Sequence, residues 1–157
     1  MCLYIDDKAT ARINKLFDEN GGKLVMFKAL WIKKRWGTAS LRSPYRWRCK
    51  EYTPGWIKSD RIEKALTNGE KRTLRDDSTY NVIEKGIHVY CTEEGAAHHL
   101  TKFSNDIVIP VTVYRKDFIA AGIHGDAVFM KVFMKKADHD KAMKVFLDKK
   151  DFHTALR

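Results

Sequence analysis

His88 and Tyr90 stand two residues apart in the stretch Gly86-Ile87-His88-Val89-Tyr90-Cys91-Thr92-Glu93-Glu94. Strand alternation puts both side chains on one face. Thr92 followed by two carboxylates reads as the cap and first turn of a helix. An imidazole, a phenol and the partly positive end of a helix would then converge, a set able to hydrogen-bond an anionic ligand. The plainer alternative is a half-buried strand whose His and Tyr make ordinary structural hydrogen bonds. Cys91 lies beside them, but no spacing ties its thiol to a particular histidine, so no nucleophile–base pair is assigned.

The second constellation is cationic and aromatic. The 157-residue chain carries 30 Lys and Arg against 20 Asp and Glu, a net charge of +10. Nine basic residues and no acid fall between Lys23 and Lys50, so the rest of the chain holds 21 basic against 20 acidic residues. Phe27, Trp31, Trp36, Tyr45 and Trp47 lie in the same block. Cations neutralise phosphate and release counterions, flat rings stack on bases, and arginine grips phosphate through two parallel hydrogen bonds. Lys33, Lys34, Arg35, Arg42, Arg46 and Arg48 are the candidate phosphate contacts, with Trp36 or Trp47 for stacking. The same composition also suits a solvated basic strand pair with core tryptophans, or a surface that docks on an acidic protein.

Catalytic and metal signatures are missing. The sequence has no G-x-S-x-G, no phosphate-binding G-x-x-x-x-G-K-[ST], no G-x-G-x-x-G and no H-E-x-x-H. Cys2, Cys49 and Cys91 are odd in number and widely spaced, which argues against a disulfide framework or paired zinc half-sites. His98 and His99 are adjacent and would diverge by about 100° on a helix. No catalytic residue, cofactor or metal is therefore expected.

These residues need a scaffold, and length permits one. A chain of this size buries about 70% of its unfolded surface in a single domain spanning residues 1–157. No apolar run reaches the roughly 18 residues a membrane helix needs, and Met1–Asp7 shows no secretory pattern, so a cytoplasmic protein without a membrane partner is expected. Asp6 or Asp7 caps a first helix that Gly21-Gly22 stops, giving an N-terminal helical unit over 1–22. Residues 23–52 form a basic, aromatic-rich strand pair, Lys23–Ile32 and Pro44–Tyr52, joined by an exposed loop at Lys33–Ser43 that pivots on Gly37. A short helix follows over Asp60–Thr67, then an exposed loop over Glu70–Ser78. Ile87–Cys91 is a strand, Glu93 to about Phe103 a helix, and Ile107–Tyr114 a strand placed at an edge, or bulged, because Pro110 lacks a ladder donor. Ala127–Met134 is a further buried strand, and residues 137–157 carry a C-terminal helix. The expected class is α+β: one mixed or antiparallel sheet of about five strands, helices at both termini and two short internal helices.

Four short motifs, Ser43–Tyr45 (SPY), Tyr52–Gly55 (YTPG), Lys85–Tyr90 (KGIHVY) and Val108–Val111 (VIPV), together resemble small bacteriophage-encoded proteins of unassigned function. That resemblance implies a role in host takeover or counter-defence and supplies no mechanism. Gly86, Tyr90, Thr92 and Ala96 also resemble the nicotinamide-holding segment of ADP-ribosyltransferase-like folds, with Lys28 in place of the usual first-strand Arg or His. Asp126 is then the nearest acid to the position of a catalytic Glu, which implies a degenerate member without catalysis.

The expected function is thus non-catalytic capture of a nucleic acid or anionic nucleotide by a basic face, with His88 and Tyr90 as further ligand contacts. The first alternative is an inhibitor docking on an acidic surface of a host defence or nucleic-acid enzyme. The second is an ADP-ribosyltransferase-like enzyme using His88 and Tyr90.

Overall fold

A computed structural model of the chain describes residues 3–35, 38–43, 51–59, 72–73, 79–80, 82–83, 86–98, 100 and 106–144. The elements run β1 (Leu3–Tyr4), α1 (Asp7–Glu19), β2 (Lys23–Arg35), β3 (Thr38–Arg42), β4 (Gly55–Lys58), β5 (Arg72–Thr73), β6 (Thr79–Tyr80), β7 (Val82–Ile83) and β8 (Ile87–Tyr90). They continue with α2 (Glu93–Ala97), β9 (Asp106–Tyr114), a 3-10 turn at Arg115–Asp117, β10 (Phe118–Ala121), β11 (Asp126–Phe129) and β12 (Lys131–Met134). A third helix, α3, occupies 136–144.

The class is α+β, built on an eight-stranded sheet ordered β10-β11-β8-β2-β9-β12-β4, with β3 pairing β2 off that path. Every pairing among the described residues is antiparallel. The sheet has more strands than the five expected, because segments that read as one element divide. Ala127–Met134 breaks at Met130, whose N–H donates to the Asp117 carbonyl at 2.8 Å while its own carbonyl accepts from Ser59 N–H at 2.8 Å.

That break sets the shape. β11 and β12 are separated in sequence by Met130 alone, yet β8, β2 and β9 lie between them in the sheet. In a flat sheet four strand spacings would hold them about 19 Å apart, whereas two peptide links span about 7 Å. The sheet therefore coils back on itself, with Met130 at the corner. Pairing is thinnest at the single registered pairs Phe27↔Tyr90 and Thr112↔Phe133.

Coiling gives the sheet an inner and an outer face. Met26, Leu30 and Ile32 of β2 face inward with Ile109, Val111 and Val113 of β9, Ile87 and Val89 of β8, and Phe129, Val132 and Met134 beyond Asp126. α1 closes this core from one side. Asp6 Oδ1 accepts from Ala9 N–H at 3.0 Å, and the helix ends at Asn20 with Gly21 and Gly22 at φ 67° and 78°. Ile13 and Phe17 of α1 are buried, and the Phe17 ring lies 5.8 Å from Phe118 and 6.2 Å from Phe129.

Several placements correct the sequence reading: α2 ends at Ala97 and does not run to about Phe103, and Arg72–Thr73, expected in an exposed loop, pairs with Thr79–Tyr80. β9 is an inner strand: it pairs with β2 from Lys23↔Tyr114 to Trp31↔Asp106 and with β12 on its other edge. Pro110 is tolerated because β12 is registered on that edge at Thr112 only. Lys33–Ser43 is not a loop; β2 runs on to Arg35 and returns as β3. The expected helix at Asp60–Thr67, and most of the Pro44–Tyr52 strand, lie outside the described residues.

Candidate functional site

The described part of the basic block forms a ribbon of two paired strands, β2 and β3, whose register continues past the last described pair of β2 with β9. Trp31 is opposite both Asp106 of β9 and Arg42 of β3, so those strands flank β2 on opposite edges. The described β2–β9 register ends at that pair, while β2 and β3 continue through Ile32↔Leu41, Lys33↔Ser40, Lys34↔Ala39 and Arg35↔Thr38. Ile32 and Leu41 are still buried. Beyond them three residue pairs, about 10 Å of strand, extend with no third strand paired on the β9 side among the described residues.

Lys33 is exposed on this ribbon. Lys34 and Arg35 are strand residues in the same extension. Arg42 is half-buried at its base: its Nε donates to Ser40 Oγ at 3.1 Å, and its guanidinium lies 3.9 Å from the Glu51 carboxylate. Trp36, Arg46, Trp47 and Arg48 lie outside the described residues. The structure thus gathers Lys33, Lys34, Arg35 and Arg42 on one hairpin.

His88 and Tyr90 sit elsewhere. Both lie on the outer face of β8, 9% and 2% exposed, under α2. α2 is capped as expected, Thr92 Oγ1 accepting from Gly95 N–H at 3.0 Å. Lys28 projects from the opposite, inner face of β2, is buried, and donates from Nζ to the His88 carbonyl at 2.8 Å. Lys28 is thus joined to the His88 main chain, across the sheet from the His88 and Tyr90 side chains.

A cleft of about 110 Å³ opens where α1 meets the β10–β11 turn, lined by Asp6, Arg12, Cys91, Gly122 and Asp126 among others. Asp126 is 5% exposed, and its Oδ1 has no hydrogen-bond partner among the described residues. Gly122 makes room for that carboxylate: a Cβ there would stand 2.4 Å from Asp126 Oδ1. Burial pushes the Cys91 thiol above its ordinary pKa, and the Asp126 charge adds to the rise while Arg12 opposes it. Such a thiol is a poor nucleophile at neutral pH. The cleft is also below the roughly 300 Å³ of a typical small-molecule site, too small for a nucleotide. Among the described residues no group of three or more His, Cys, Asp or Glu is placed to hold a metal. No described helix is long and apolar enough to cross a membrane.

One cluster escaped the sequence reading. Trp56 of β4 packs against Tyr114 of β9 and Phe133 of β12, with ring centroids 5.4 Å and 5.3 Å away. Lys131 Nζ lies 4.6 Å from the Trp56 ring centroid. Trp56 stands outside the acid-free block, and its partners come from strands some 60 and 80 residues on, so only cross-strand register reveals the group. Comparison with protein-family models, with curated proteins and with solved structures returns no match to the chain, so the functional reading rests on its own residues.

Proposed function

We propose that the chain is a non-catalytic binding protein that captures a phosphate-rich ligand, a nucleic acid or a nucleotide, on the basic β2–β3 ribbon. The observation that supports this reading is that Lys33, Lys34 and Arg35 lie on β2 beyond its last described pair with β9, Trp31↔Asp106, and pair with β3 in a stretch free of acidic residues. Strand pairing fixes the backbone of the ribbon, so ordering it on a ligand costs little further entropy. Cations held there attract phosphate with a gain from counterion release. The short motifs that resemble those of phage-encoded proteins are the ground for placing this capture in host takeover or counter-defence.

The test is purification at low and at high salt, followed by denaturation and analysis of the released material by absorbance and mass spectrometry. A discrete nucleotide, or heterogeneous nucleic acid that disappears at high salt, is the expected result. Protein free of both under either condition overturns the reading and favours docking on an acidic protein surface.

A further inference from the structure

The outer face of the sheet between β2 and β4 presents aromatic surface away from the ribbon. Register aligns Val25, Thr112, Phe133 and Trp56 in one cross-strand row. In the next row Lys23 lies opposite Tyr114, and Lys131 opposite Lys58. Val25 is 54% exposed and Trp56 46%, while Phe133 and Tyr114 are half-buried. Contiguous apolar surface rimmed by polar groups marks interaction sites more often than chance exposure does. The two rows together hold three lysines and no carboxylate. α2 covers the neighbouring part of the same face, where Ala29 and Ala96 are buried, and leaves these rows open.

We infer that this face is a stacking platform for single-stranded nucleic acid, with Trp56 receiving a base and Lys23 and Lys131 neutralising the flanking phosphates. The inference rests on the proposed function for the anionic character of the ligand, and adds its class and a second surface. A sheet that exposes aromatic rings beside cations is how several folds hold unpaired strands. Bases of a duplex stack on one another, so their faces are closed to Trp56. An acidic peptide would match the lysines but give the three rings nothing flat to pack on. Lys131 now lies over the Trp56 ring, an exposed cation–π contact weaker than base stacking. Its flexible stem lets the ammonium move to a phosphate as a base takes its place.

The test is fluorescence anisotropy with fluorescein-labelled oligothymidylate and oligouridylate of about 15 nucleotides, the upper range of a single-domain site, beside a duplex of equal length and polyglutamate. Single strands are expected to bind more tightly than the duplex or polyglutamate. Trp56→Ala should weaken them about tenfold or more, with Trp56→Tyr retaining most of the affinity. Val25→Glu, at an exposed position, should also weaken them, with far-UV circular dichroism confirming that each variant is folded. Unchanged binding by folded Trp56→Ala, or equal affinity for duplex or polyglutamate, overturns the platform. A variant with Lys33, Lys34 and Arg35 all changed to Ala separates the two surfaces. If it alone loses binding, the ribbon stands and the platform falls; if Trp56→Ala alone does, the platform stands and the ribbon falls. No binding of any nucleic acid overturns the platform and leaves the ribbon reading to the co-purification test for a nucleotide.

Discussion

Lys28 Nζ donates to the carbonyl oxygen of His88 at 2.8 Å and lies 5.8 Å from the centroid of the Tyr52 ring. A cation in the interior of a coiled sheet is thus held by a main-chain acceptor on the next strand and by an aromatic face. Both Lys28 and Tyr52 are buried, 4% exposed each. An ammonium so enclosed ties β2 to β8 where the two strands share only the registered pair Phe27↔Tyr90.

Lys28→Met keeps most of the volume but leaves the His88 carbonyl without this donor. It should lower stability by about 1.5–3 kcal/mol, the range for a hydrogen bond made by a charged group, read as a reduced urea midpoint with an unchanged slope. Because Lys28 faces inward, the folded variant should bind the ligand as the parent does. Selective loss of binding in a folded Lys28→Met variant would show that this lysine serves the ligand and not the sheet.

Gly86 has φ +112°, and a Cβ there would stand 2.4 Å from Val128 Cγ1 on the neighbouring strand β11. The glycine at the head of the Lys85–Tyr90 motif is therefore explained by backbone geometry and close strand approach. Gly86→Ala should cost about 2–4 kcal/mol from strain and overpacking. Val128→Ala removes the clash but not the strained φ, so the double variant should lose less than the two single losses added. Strict additivity in urea unfolding would exclude the contact as the cause.

Local signals predicted local structure well. The Asp6 cap, the Gly21-Gly22 stop, the Thr92 cap and the apolar runs of β2, β8 and β9 each act within a few residues of themselves. The ribbon was hidden because the basic run Lys33-Lys34-Arg35 and Gly37 read as a loop, while the alternation that brings Ala39 and Leu41 of β3 to the core covers only two apolar positions. The β11–β12 corner was hidden because a buried strand that bends at Met130 keeps the same apolar composition as one that runs straight. The Trp56, Tyr114 and Phe133 cluster depends on pairing between distant strands, which no local pattern encodes. Among the site residues, charge density pointed to Lys33, Lys34, Arg35 and Arg42. The shared strand face of His88 and Tyr90 followed from alternation, but the helix lying over them did not.

The Cys91 thiol titrates under two opposed charges. Burial raises its pKa first, the Asp126 carboxylate raises it further, and the Arg12 guanidinium lowers it. Removing a neighbouring negative charge favours the thiolate, and removing a positive one disfavours it. Asp126→Asn should therefore shift alkylation of Cys91 to lower pH, and Arg12→Ala should shift it to higher pH. Iodoacetamide labelling across a pH series, with the Cys91 peptide resolved by mass spectrometry, checks the order. If Arg12→Ala titrates below the parent, the assigned electrostatic arrangement of the cleft is wrong.

Salt dependence gives the ribbon a quantitative signature. If six cations contact duplex phosphates, log K against log salt should slope by about −5, and a compact nucleotide should give a shallower line. Each phosphate-contacting cation removed should flatten the duplex slope by about 1. Lys33 is exposed, whereas Arg42 is half-buried, donates to Ser40 and lies 3.9 Å from the Glu51 carboxylate. A guanidinium already facing a carboxylate releases fewer counterions on meeting a phosphate, because its charge is partly compensated beforehand. Lys33→Ala should accordingly flatten the slope more than Arg42→Ala does. Equal slopes for the parent and Lys33→Ala, measured by anisotropy between about 50 and 200 mM salt, would remove Lys33 from the interface.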